Sequence, residues 1–150
     1  MPVLSTILVL ALVAAGQPAK PNFSGEWKLN VTKSNFGAIP APTAATRKIT
    51  HAGPSLTIDE TQQGGMGDQV LTRKYTTDGT ETTFEANGAQ IASSATWKEN
   101  TIEVVSRIEG IGLSFTDVMS LGADGKTLTS QVHITSPQGD IDITMVFEKQ

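Results

Sequence analysis

From Ala45 to the C-terminal end, short runs of alternating apolar and polar residues follow one another, separated by turn residues, with hardly a helical period anywhere. A period of two sends successive side chains to opposite faces of a sheet. Connections this short join strands only as antiparallel neighbours. A first strand is expected at about Gly25–Thr32. Further strands are expected at about Ala45–His51, Leu56–Gln62, Gln69–Thr76, Glu81–Glu85, Ala89–Trp97, Thr101–Glu109, Leu113–Leu121, Thr127–Thr135 and Asp140–Glu148. Asp78-Gly79 and Asn87-Gly88 suit primed hairpin turns, because these residues accept positive φ at low cost. About ten strands in one meander predict an all-β fold, a single up-and-down antiparallel β-barrel.

One face of each strand forms the expected interior. The clearest sets are Leu56/Ile58, Ile102/Val104/Ser106/Ile108, Leu113/Phe115/Asp117/Met119/Leu121 and Ile141/Ile143/Met145/Phe147. The opposite faces are rich in Thr, Ser, Gln and Glu, so the sheet meets water on one side only. Ser93, Ala95, Ser106 and Ser130 are small residues within the inward sets, and small residues inside a barrel leave volume for a guest.

The first residues follow another pattern. Ile7 to Val13 are apolar and are followed by small Ala14-Ala15-Gly16, which is the form of a secretory signal and is too short for a stable bilayer span. The expected organisation is a signal peptide over 1–16, a leader over 17–23 and a barrel over 24–150, in a secreted or periplasmic protein. The alternative is a buried N-terminal strand or helix. About 134 residues would remain, ample for a core without staples. The chain has no cysteine, so no disulfide framework is possible. Its net charge of −4 is spread singly, with no basic stripe of the kind nucleic acids require. No later apolar run approaches membrane-spanning length. Pro40 and Pro42 forbid a helix across Lys33–Thr43 and favour an extended strap.

Gly25-Glu26-Trp27-Lys28-Leu29, followed by Asn35-Phe36, resembles the opening of fatty-acid-binding proteins; Gly-x-Trp alone also resembles the lipocalins. Both belong to the calycin group. Thr144-Met145-Val146-Phe147-Glu148-Lys149 resembles the last strand of fatty-acid-binding proteins. The chain is also similar to small exported bacterial proteins of lipocalin-like type. The resemblance implies a calycin barrel in which Trp27 closes one end. Two departures stand out. Met145 and Phe147 occupy the places where the family sets an Arg and a Tyr to clasp a fatty carboxylate, and an apolar pair cannot offset the desolvation of that charge. The prolines of the strap also exclude the family's helical lid.

Among the polar residues, Arg73 shares a strand face with Leu71 and Tyr75 and could offer a guanidinium and a phenol to an anionic head group. In the other register Val70, Thr72 and Lys74 face inward instead. Asp117, within an apolar face, should pair with a cation such as Arg73 or turn to solvent at a bulge. His51 and His133 read as surface residues without ligand spacing, and no metal site or cofactor is implied. No nucleophile–base–orienter set can be assembled, so no catalytic residue is assigned. The sequence therefore points to a small, mostly apolar molecule held non-covalently by Trp27, Leu71, Arg73, Tyr75, Trp97, Phe115, Asp117, Met119, Met145 and Phe147. The rival readings are a dry barrel serving as a structural or protein-interaction module and, more remotely, a barrel isomerase or hydrolase.

Overall fold

The computed structural model describes residues 19–150; the export segment expected over 1–16 lies outside the described residues. The alternating runs form strands β1 (Gly25–Leu29), β2 (Pro42–Ala52), β3 (Ser55–Gly64), β4 (Gln69–Thr76) and β5 (Thr82–Ala86). They continue as β6 (Ala89–Lys98), β7 (Thr101–Ile108), β8 (Leu113–Leu121), β9 (Thr127–Ser136) and β10 (Gly139–Lys149). All belong to one sheet in the order β4-β3-β2-β1-β10-β9-β8-β7-β6-β5. The first and last strands pair antiparallel, with Trp27 opposite Lys149 and Leu29 opposite Phe147, so the meander rolls into a nearly closed barrel.

The ring is left unzipped at one seam, where β4 and β5 stand at the two ends of the strand order. The Asp78-Gly79 turn does not make the hairpin the dipeptide suggests. Gly79 N–H donates to Ala95 O at 2.9 Å and Asp78 bridges to Thr96, which commits the turn to β6. Thr82 Oγ1 reaches across the seam to Lys74 O at 3.1 Å. Asn87-Gly88, by contrast, is the expected tight turn, with φ of 52° and 76°.

The first strand ends earlier than its alternation suggests. Asn30 caps a single 3-10 turn over Val31–Lys33, its side chain accepting from Lys33 N–H at 3.1 Å. The strap that follows runs along the wall. Asn35 exchanges backbone hydrogen bonds of 2.7 and 2.8 Å with Thr144 of β10. At Gly65 (φ +65°) an added Cβ would lie 3.0 Å from the Pro40 carbonyl oxygen, so the β3–β4 loop can approach the strap only as glycine.

Burial falls along the bore. At the end bearing the β2–β3 and β6–β7 turns, Phe23, Trp27, Leu56, Ile102, Met119, Leu128 and Phe147 are fully buried. Trp27 closes this base, its Nε1–H donating to Phe23 O at 3.1 Å. His51 is a correction to the sequence reading: it is buried, its Nδ1 accepts from Phe23 N–H at 3.3 Å, and its ring packs on those of Phe23 and Trp97. At the opposite end, residues on the same strand faces remain half-buried, among them Ile91, Ile108, Leu113, Phe115, Ile134 and Ile143. An inward-facing apolar side chain that still meets solvent means that water reaches the bore from this mouth.

Candidate functional site

Between the packed base and the wet mouth lies a layer of charge. On β2, Arg47 falls between inward-facing Ala45 and Ile49; on β3, Glu60 follows inward-facing Leu56 and Ile58. The period of two forces both into the bore. Arg73 and Tyr75 of β4 also point inward, as does Asp117 of β8. Glu60 Oε2 accepts from Arg47 Nε and, at 3.0 Å, from Arg73 Nη2. Arg47 Nη1 stands 4.0 Å from Asp117 Oδ2, and Asp117 Oδ1 accepts from Ser130 Oγ at 2.5 Å. The Arg47 guanidinium also lies over the Phe147 ring, 4.5 Å from its centroid.

The ionisable groups are strongly conditioned by this neighbourhood. Burial alone would raise the Glu60 carboxyl, but the charges and hydrogen bonds of Arg47 and Arg73 outweigh it and hold the pKa at about 2. Burial opposes the charge on Arg73, and the Glu60 carboxylate, with Asp117 beyond it, more than restores it. Burial pushes the Tyr75 phenol up despite the Arg73 charge, so it stays a neutral donor. Glu60 is therefore a poor base at neutral pH.

The network leaves donors over. Among the described residues, Arg47 Nη1, Arg73 Nε and the Tyr75 hydroxyl are each buried without a hydrogen-bond partner. Arg47 is 2% exposed and Tyr75 4%, so bulk water does not serve them. Buried polar groups are nearly always satisfied, and leaving one unmade costs about 1–3 kcal/mol. These three donors belong to one buried charged cluster, set between the packed base and the half-buried apolar residues of the mouth.

Of the residues expected to line a site, Arg73, Tyr75 and Asp117 meet in this layer, with Arg73 17% and Asp117 14% exposed. Asp117 takes Arg47 rather than Arg73 as its nearest cation. Leu71 and Phe115 lie half-buried toward the mouth, and Met145 is half-buried against the core. Trp27, Met119 and Phe147 belong to the packed base, where Trp97 joins Phe23 and His51. Arg47 and Glu60 were missed. The available signal is strand parity with apolar neighbours, and it is weak because Arg and Glu ordinarily mark the solvent face. Elsewhere, a surface groove beside Lys28–Thr32 and Glu148 is lined by polar and charged groups and lies outside the bore.

No protein-family model and no curated relative matches the sequence. Solved structures do match its fold. A secretory abundant heat soluble protein from Ramazzottius varieornatus aligns with a TM-score of 0.66 at 10% identity, covering 85% of this chain and 95% of that one. Zebrafish ileal bile acid-binding protein, complexed with cholic acid, aligns at 0.61 and 15% identity, covering 85% and 98%. Human cRBP IV aligns at 0.58 and 15% identity, covering 87% and 99%. The chain has a calycin-like barrel fold, as the resemblance of its first and last strands implies.

Proposed function

We propose that this protein is an exported carrier that holds a small, mostly apolar molecule non-covalently in the mouth half of its barrel. The apolar body would rest against Leu71, Phe115, Ile91 and Ile143, and its polar end would take up the donors of Arg47, Arg73 and Tyr75. The observation that carries this reading is the trio of buried donors without partners beneath a solvent-reachable apolar wall. A carboxylate held at a pKa of about 2 supports binding rather than proton transfer. Export is supported by the apolar run ending at Ala14-Ala15-Gly16. The zebrafish ileal bile acid-binding protein, similar in fold, is complexed with cholic acid, and this supports a guest of that kind.

The test is a neutral solvatochromic dye, Nile red, added to the purified protein. It should brighten with saturation, shift to the blue and be displaced by aliphatic competitors. Apolar guest surface brings about 25 cal/mol per Å² before ordering costs, so micromolar affinity is the expected range. A second reading is favoured by the ion pairs themselves: Arg47, Glu60, Arg73 and Asp117 could fill the bore as a structural plug of a dry interaction module. In that case the dye stays dark.

A further inference from the structure

The charges of the buried layer cancel. Arg47 and Arg73 are answered by Glu60 and Asp117, guanidinium for carboxylate. What the layer lacks, among the described residues, is acceptor atoms for Arg47 Nη1, Arg73 Nε and the Tyr75 hydroxyl. Arg47 Nη1 has Asp117 Oδ2 at 4.0 Å, close enough for charge to be balanced and too far for a hydrogen bond. A carboxylate entering here would bring a third anion to two cations and lose its hydration with no unanswered cation to meet it. A carbonyl oxygen brings two lone pairs and no charge. We infer that the bore selects a guest whose polar end is an uncharged acceptor, a ketone, aldehyde, ester or amide carbonyl, in preference to the matching carboxylate.

The inference rests on the carrier reading above and deepens it. The apolar pair Met145 and Phe147 agrees with it, since neither of these two inward places on the last strand carries a cation. So does the fully buried Ser130, whose hydroxyl is spent on Asp117 and holds that carboxylate facing Arg47.

The experiment is competition on the full protein loaded with Nile red at neutral pH, using undecan-2-one and undecanoate as competitors of matched chain length. The ketone should displace the dye at a concentration at least about tenfold lower than the carboxylate. Equal potency, a carboxylate advantage, or a bright dye that neither competitor displaces would overturn the inference while leaving an apolar bore standing. A dye that never brightens would overturn both readings. Glu60→Gln leaves one guanidinium unanswered, and the preference should then move about tenfold or more toward undecanoate. An unchanged preference in that folded variant counts against the charge argument. If Glu60→Gln does not fold, Asp117→Asn removes the other carboxylate and carries the same expectation.

Discussion

The backbone N–H of Phe23 donates to Nδ1 of His51 at 3.3 Å, and this bond ties the segment before β1 into the base of the barrel. It requires an unprotonated Nδ1. Burial lowers the His51 pKa below its ordinary 6.5, against a smaller opposing hydrogen bond to the Gly53 backbone. A base with a depressed folded-state pKa contributes stability above its unfolded value, and that contribution is lost as pH falls below about 6.5 toward the folded value. His133 works in the opposite sense, because its hydrogen bond to Asp142 raises its pKa and stabilises the fold at lower pH. Thermal melts in a His133→Gln background should therefore show the melting temperature falling by a few degrees between pH 7.5 and 5.5. His51→Gln, which keeps an acceptor and removes the titration, should flatten that fall. A flat profile before the second substitution would break the assignment.

Glu60 governs a separate, more acidic range. Its folded pKa of about 2 lies below the ordinary 4.5, so its contribution is complete above about pH 4.5 and disappears as pH falls from there toward 2. Replacing it with Gln leaves Arg47 and Arg73 without their shared carboxylate. The expected loss is about 3 kcal/mol at pH 7, read from urea unfolding, with a shallower decline between pH 4.5 and 2 than in the parent protein. A variant as stable as the parent at pH 7 would mean that the pair contributes nothing net.

The barrel was legible in the sequence because alternation and turn chemistry agree over most of the chain, from Thr46 on β2 to Glu148 on β10. The seam was not. Asp78-Gly79 specifies a reversal, but it cannot say that Gly79 will bond to Ala95 rather than zip β4 to β5. The site was half legible for a similar reason. Strand parity turns Arg73, Tyr75 and Asp117 inward in one of the two registers, and the cost of a lone buried carboxylate calls for a cation or a bulge at Asp117. Which cation is a matter of distance across the bore, and Arg47 approaches from a strand 70 residues away in the chain. His51 shares parity with buried Ile49, but its place at a strand end beside Gly53-Pro54 hid the Phe23 segment folding back onto it.

The base makes its own prediction. Phe23 is fully buried, with its ring centroid 6.0 Å from those of both His51 and Trp97. Phe23→Ala removes a large ring from a site closed on all sides, so about 3–4 kcal/mol should be lost. Trp97 would also lose its aromatic cover, and tryptophan emission in the folded variant should move to the red. A loss below about 1 kcal/mol would show that the segment before β1 is only loosely seated.

Tyr75 separates a site built for a guest from one that is merely structural. Its hydroxyl is buried and, among the described residues, unpartnered, so by itself it costs stability. Tyr75→Phe keeps the ring, which fills the same space, and deletes only that cost. The variant should be as stable as the parent or more so, by about 1 kcal/mol and roughly 4 °C in melting temperature. The same change removes a donor from the guest, so affinity for an acceptor-bearing ligand should fall about three- to tenfold while an alkyl competitor without an acceptor binds as before. Stability and binding then move in opposite directions from one oxygen atom. A Tyr75→Phe variant that is markedly less stable would mean that the hydroxyl already has a partner in the folded protein, and the donor trio would no longer describe an open site.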